Sequence, residues 1–367
     1  MTISPWPQAG EEEMALLREV LASERWGGFH EMVGLFEREF AAFTQCEFGV
    51  SAFNGTVTLE MILEAMGIGA GDEVIVPAIS FISTATAISR VGALPVFVDI
   101  EQETFNIDPH CAAAAITPAT RAIMAVHFGG PMADMDRLLE LGIPLIEDAA
   151  HAHGSEWRGR RAGSIGMAGS FSFQNSKVMT CGEGGLITTN DSRVNERVRA
   201  IGNQGRRADR GWFEHYTLGT NYRMTALQAA VLLPQLLRLP EQNQRRARNA
   251  AIVKEELAGC DRIQWQAVPP EASVHTNYLL LGRIAGNHAD RARFHAAVTQ
   301  AGVPCTPFYP HTLYNNPLYQ EGGCRVMPCA VSESAIGDAF WFPHRVLLGS
   351  AEDTREIARA ILEAAQD

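Results

Sequence analysis

Four short stretches hold the residues best placed to do chemistry. The first is Ser170–Gly185, SFSFQNSKVMTCGEGG, where one lysine, Lys177, follows an apolar run and precedes a Gly-Glu-Gly-Gly turn. An amine held against apolar walls loses solvation, its pKa falls, and it becomes a nucleophile for an aldehyde. The plainer alternative is a surface lysine beside a glycine turn. The second is Ile146-Glu147-Asp148-Ala149-Ala150-His151-Ala152-His153, two acids and two histidines at the end of an apolar run. The i, i+2 spacing of His151 and His153 is not that of a helical ligand pair, and no third ligand stands out, so no metal is expected. A carboxylate there can instead hold a pyridinium nitrogen protonated, which turns the ring into an electron sink. Third, Asn54-Gly55-Thr56 opens a helix. N–H groups and the helix dipole favour a phosphate at such a point, where an ordinary N-cap is the competing reading. Fourth, Phe81 directly follows a strand and offers a flat face for stacking, or a side chain for the core. With Ser172 as a further hydroxyl, one molecule uses all four stretches: pyridoxal 5′-phosphate.

The elements that must position these residues are legible as alternating strands and helices. Strands are expected over Glu73–Pro77, Leu94–Asp99, Ala122–His127, Pro144–Asp148, Gly169–Phe173 and Leu186–Thr189. Helical spacing is expected over Thr58–Met66, Ile82–Arg90 and Ala133–Leu141. Short, nearly continuous apolar strands between helices imply βαβ units and a parallel sheet covered on both faces, with ligands at the carboxyl ends of the strands. Upstream, Glu11–Ser23 and Met32–Phe43 read as helices joined by the loop Arg25–His30. Downstream, Thr225–Leu239 reads as an apolar helix ended by Pro240. A second helix, Gln242–Leu257, carries the basic run Gln244-Arg245-Arg246-Ala247-Arg248, expected on a solvated face. From about Asp261 the texture becomes α+β: a strand Thr276–Arg283, a helix His288–Ala301, an extended piece Val303–Tyr309 and a last helix Glu352–Ala365. The expected organisation is an N-terminal arm and helix (1–45), a large α/β domain (46–240) and a small α+β C-terminal domain (241–367).

The 367 residues carry a formal net charge of -12, which argues against nucleic acid as partner because phosphate backbones need a basic face. No apolar run approaches a membrane span, and the start of the chain lacks the pattern of a signal peptide. Seven cysteines are scattered without a CxxC or a zinc-like Cys/His pair, as expected of reduced thiols in a cytoplasmic protein.

Taken together, GDEVIVPAISF, VHFGG, IEDAAHAHGS, SFSFQNSK, GEGG and LGTNYRMTALQAA resemble the DegT/DnrJ/StrS aminotransferases over about Trp26–Leu362. That resemblance implies fold type I of the pyridoxal phosphate enzymes: a large domain with a mostly parallel mixed sheet, and a small C-terminal domain. By similarity, Lys177 would bond the cofactor aldehyde, Asp148 would pair with the ring nitrogen, His151 would stand near the ring hydroxyl and Phe81 would stack on the ring. Gly55, Thr56 and Ser172 would hold the phosphate. Asn221 would reach the phosphate of the neighbouring subunit's cofactor, which implies a homodimer with shared sites. Family dehydratases carry histidine where this chain has Lys177, so transamination is favoured. The forms DAAHAHG, SFQNSK and FWFPHRVLLGS resemble the branch that acts on keto-cyclitols and related rings, with glutamine or glutamate as amino donor. A nucleotide-linked keto-sugar aminotransferase is the rival reading, and a non-catalytic cofactor-binding regulator a remote one. Phe308-Tyr309-Pro310-His311 is a possible wall of the substrate pocket, or a structural segment.

Overall fold

The computed structural model describes residues 1–272 and 274–366. At its centre lies an eight-stranded sheet, in the order Phe48–Ala52, Gly185–Thr189, Ala168–Ser172, Leu145–Asp148, Thr120–Val126, Glu73–Pro77, Leu94–Val98 and Arg325–Val326. Neighbours from Ala168–Ser172 onward pair in parallel, while Gly185–Thr189 runs antiparallel to both of its neighbours. The sheet is therefore mixed and mostly parallel. Alternate side chains feed two cores: Ile75, Val96, Ile123 and Phe171 on one face, Val74, Phe97, Met124 and Ile146 on the other. Burial on both faces is why these strands read as continuous apolar runs. The register sets Asp148 between Val126 and Ser170 at the carboxyl end of the sheet.

A second, antiparallel sheet is ordered Ile263–Trp265, Leu279–Ile284, Ala339–Pro343, Thr306–Pro307. Helices His288–Gln300 and Ala351–Gln366 cover it through Phe294, Val298, Ile357 and Ile361, which form a third core with Phe340 and Phe342.

Two expectations fail on the long helix between the sheets. Pro240 does not end it: one helix runs unbroken from Ala226 to Glu256 with Pro234 and Pro240 inside. A helical proline removes a hydrogen bond and crowds the preceding turn, at about 3 kcal/mol. Beside Pro234, the Gln235 side-chain amide ties the helix to the loop after Lys177, donating to the Val231 carbonyl at 3.0 Å and to the Thr180 carbonyl at 2.7 Å. The helix packs against the N-terminal helices and the last helix, which offsets the proline penalty. The basic run also splits: Gln244, Arg245, Ala247 and Arg248 are exposed, but Arg246 is fully buried on the face it shares with Asn243 and Ala250. Among the described residues, no helix is long and apolar enough to cross a membrane.

Candidate active site

A cleft of about 620 Å³ opens where the parallel strands end, within the size range of small-molecule sites. Gly55, Thr56, Phe81, Asp148, His151, Ser172 and Lys177 all line it. Asn221 does not: it is exposed on another part of the surface, bridged through its backbone to Asn203.

Neighbouring residues on a strand point to opposite faces, and this separates the two acids. Glu147 is fully buried on the far side, where its carboxylate accepts from the N–H groups of Gly163 (2.8 Å), Ile165 and Gly166 (both 2.7 Å). His127 Nδ1 accepts from the Ala133 N–H, so its Nε2–H donates to Glu147 at 3.0 Å. Burial pushes the Glu147 carboxyl up, but His127 and the loop N–H groups outweigh it and hold the group below the usual range. Asp148 faces the cleft, and its partners are neutral: Thr84 Oγ1 donates to Oδ2 at 2.8 Å and Ala150 N–H to Oδ1 at 3.3 Å. Burial dominates and raises its pKa, against the pull of Thr84 and Lys177.

Lys177 sits in the loop between strands Ala168–Ser172 and Gly185–Thr189, with Nζ 4.7 Å from the centre of the Tyr278 ring. The Tyr278 hydroxyl lies 3.0 Å from Ser176 Oγ, and its ring packs on His151 at 4.3 Å between centroids. His151 Nδ1 accepts the Gly129 N–H at 3.3 Å; burial, then Lys177, hold its pKa well below 6.5, so the ring is neutral near pH 7. His153 turns away from the cleft among Phe40, Phe171 and Phe173, and its Nε2 contacts the Ser172 carbonyl at 2.9 Å.

The far end of the cleft is made of hydroxyls. The helix begins earlier than its spacing implied, at Gly55, with Asn54 as N-cap. Asn54 Oδ1 takes the N–H groups of Thr56 and Val57, both at 3.0 Å, so the capping reading holds and the hydroxyls remain for a ligand. Thr56 Oγ1 pairs with Ser83 Oγ at 2.8 Å. A side chain at Gly55 would meet Ser172 Cβ at 2.7 Å, so glycine is what lets the helix start approach Ser172. Phe81 stands beside this end with 60% of its surface exposed, an apolar face free to stack rather than a core residue. Of the segment Phe308–His311, Tyr309 lines the cleft, Phe308 is buried and Pro310 and His311 are exposed.

A profile of the DegT/DnrJ/EryC1/StrS aminotransferase family matches residues 7–362. The chain belongs to this family. Among its relatives, the 3-amino-5-hydroxybenzoate synthase of Amycolatopsis mediterranei is 36% identical over 98% of this chain and 96% of its own. An L-glutamine:2-deoxy-scyllo-inosose aminotransferase of Streptoalloteichus tenebrarius is also 36% identical, over 97% and 92%. A crystal structure of 3-amino-5-hydroxybenzoic acid synthase superposes with a TM-score of 0.95 at 35% identity, covering 100% of this chain and 99% of the other. The PLP form of a putative sugar aminotransferase from Streptococcus pneumoniae superposes with a TM-score of 0.90 at 26% identity, covering 100% and 98%. Family membership makes this chain an aminotransferase of fold type I.

Sequence reasoning missed Ser83, Thr84, Tyr278, Trp341 and Glu183, all of which line the cleft. A hydroxyl pair just after Phe81 was the available signal for Ser83 and Thr84. Tyr278 just precedes a strand of the second sheet and Trp341 lies in another, and nothing local marks them.

Proposed function

We propose that this aminotransferase uses pyridoxal 5′-phosphate to move an amino group from glutamine or glutamate to a ring ketone, a keto-cyclitol or a related ring. The observation that carries the reading is the pairing of Asp148 and Lys177 in one cleft whose far end is built of hydroxyls. The donor set fits the cofactor. Asp148 is a carboxyl raised by burial, with only neutral hydrogen-bond partners, and a protonated ring nitrogen would supply a directly paired cation. Each of its oxygens keeps a lone pair beyond the bonds to Thr84 and Ala150. Thr56 and Ser172 offer hydroxyls to a phosphate at the start of helix Gly55–Ala65, Phe81 a stacking face, and His151 a neutral ring. When bound, the cofactor supplies the electron sink. Lys177 Nζ would hold it through its aldehyde and, once the donor's amine has taken that place and freed it, would move the proton at the donor's α-carbon; Asp148 would keep the ring nitrogen protonated. Tyr278, Tyr309 and Trp341 wall the cleft with aromatic surface that excludes water.

The ring-ketone class rests on the relatives' substrates and on the histidine at position 151. A homodimer with composite sites is part of the proposal. Asn221 lies outside its own chain's cleft, on a surface stretch that exposes Trp212, Phe213 and Leu218. Such apolar exposure marks an interface. The test is the half-reaction. Glutamine or glutamate should convert the loaded enzyme's visible band to that of the amine form and release the keto acid, and a keto-cyclitol should restore the band. If neither donor changes the band, the reading is wrong; if only nucleotide-linked keto-sugars restore it, the substrate class is wrong.

A further inference from the structure

Arg246, one of five residues in the run Gln244–Arg248, is cut off from water, with 0% of its surface exposed. Burial is the sole cause that lowers its guanidinium to about 9, still charged at neutral pH. Its partners are neutral: Nε donates to the Thr276 carbonyl at 2.8 Å, and Nη2 donates to Asn243 Oδ1. Nη1 has no partner among the described residues. A buried cation without an anion is a poor stabiliser, and an apolar residue of similar volume often serves the fold as well or better. Packing alone therefore does not account for it.

The partners point to the cleft. Asn243 Nδ2 donates to the His153 carbonyl at 3.0 Å. Thr276 Oγ1 donates to the His151 carbonyl at 2.6 Å and accepts the Tyr278 N–H at 3.3 Å. One guanidinium thus ties together two segments distant in the chain: the 151–153 turn after Asp148 and the 276–278 stretch that leads into the second sheet. The junction is tight. A side chain at Gly130 would meet Thr276 Oγ1 at 2.6 Å, and one at Gly154 would meet Asn243 Nδ2 at 3.0 Å. The two segments carry His151 and Tyr278, whose rings pack together, and Tyr278 lies under the Lys177 amine.

We propose that Arg246 is a positioning residue: from behind the cleft it locks the His151 wall against the Tyr278 wall and so sets where the Lys177 amine stands. The proposal rests on the aminotransferase reading of this cleft. It adds a residue that touches neither cofactor nor substrate.

Two variants test it. Arg246→Lys keeps a charge but loses the fork that reaches Thr276 and Asn243 together. Thr276→Val leaves Arg246 its carbonyl partner and removes the hydroxyl link to His151 and Tyr278. In the apoprotein, hydrogen exchange at the amides of Gly129 and Tyr278 should quicken about tenfold or more in Arg246→Lys, since both report on this junction. In the loaded enzyme both variants should keep the cofactor's visible band while its pH midpoint moves. Their kcat should fall roughly 100-fold, the scale of an ångström-sized misplacement, with KM nearly unchanged. An Arg246→Lys enzyme with wild-type exchange, band titration and kcat, but a lower melting temperature, assigns the arginine to packing and overturns the proposal. If Arg246→Lys does not fold, Thr276→Val decides on the band titration and kcat. If the wild type itself forms no band with pyridoxal phosphate, the reading of the cleft has failed, and the exchange data still decide whether Arg246 holds the two walls.

Discussion

Replacing Asp148 by asparagine should separate stability from activity. Thr84 Oγ1 donates its one proton to Asp148 Oδ2 at 2.8 Å, so in its contact with Ser80 Oγ at 2.7 Å Ser80 is the donor. An asparagine with its carbonyl toward the Ala150 N–H and its amide toward Thr84 fits once both hydroxyls rotate: Thr84 then accepts from the amide and donates to Ser80. No buried group loses its partner, so the direct cost is under about 1 kcal/mol. The charge acts in the opposite direction. Burial raises the Asp148 pKa in the fold. A raised folded pKa contributes stability below the unfolded value, near pH 4, and that contribution is lost as pH rises through the folded value. At pH 7 the Asp148 carboxyl therefore weakens the apoprotein relative to an uncharged isostere. Apo Asp148→Asn should melt at or above the wild type at pH 7, with the difference closing as pH falls toward about 4. Activity should move the other way. An amide cannot hold the ring nitrogen protonated, and losing one preorganised electrostatic partner costs about 10²–10³ in rate, or about 2.7–4 kcal/mol. Calorimetry of the apoprotein and stopped-flow measurement of the half-reaction with glutamine give the two numbers. A near-normal half-reaction rate in a variant that holds its cofactor would refute the role given to Asp148, and an apoprotein several kcal/mol weaker would refute the hydroxyl rearrangement.

The neighbouring acid should behave in the opposite manner. Glu147→Gln leaves one acceptor oxygen for four donors; losing two charge-assisted bonds should cost about 3–6 kcal/mol in urea unfolding at pH 7. Because the folded Glu147 pKa is depressed, that contribution is present above the unfolded value and lost as pH falls through the folded one, so the gap to wild type should narrow below about pH 4. A gap under about 1 kcal/mol at pH 7 contradicts this. Lys177→Ala should fold yet lose both turnover and the absorbance of the lysine-bound cofactor; keeping either removes Lys177 from its role. Mixed with Asn221→Ala subunits, and with each parent shown to be weak alone, it should regain activity approaching half of wild type per hybrid, because a shared-site dimer then has one intact site. Confirmed subunit exchange without any rise overturns the composite site. Burial, then Lys177, holds the folded pKa of His153 at about 3, so the unfolded chain takes up that proton first as pH falls below 6.5. Stability should drop by up to about 1.4 kcal/mol per pH unit from this residue, and His153→Phe should flatten the slope between pH 6 and 4; an unchanged slope assigns it to other histidines.

Much of the cleft was legible because chemistry at the end of a parallel strand is a local matter. Lys177 and Asp148 stand just after, and at the end of, apolar runs that could only be buried strands. Gly55 and Thr56 stand at a helix start whose cap is spelled out by Asn54. Even so, the strand Phe48–Ala52 escaped notice, since its short and mostly small residues, FGVSA, carry little pattern. The sequence alone determined the sheet class, because hydrophobic period depends on neighbours along the chain, and its motifs, by their resemblance to the aminotransferase family, pointed to that family and to the residues expected to handle the cofactor. In a strand buried on both sides either face is open to a carboxylate, so burial pattern alone left the adjacent acids equivalent; the family resemblance pointed to Asp148, and the tertiary structure places Asp148 on the cleft and Glu147 on the far side. It brought Tyr278 and Trp341 into the site from distant segments. It carried the long helix through Pro240, where packing along its length outweighs a local penalty of about 3 kcal/mol. And it turned Arg246 inward while Arg245 and Arg248 stayed in water: at about 100° per residue, helical phase against the neighbouring elements settles which arginine of a basic run is buried, and no count of charges contains that phase.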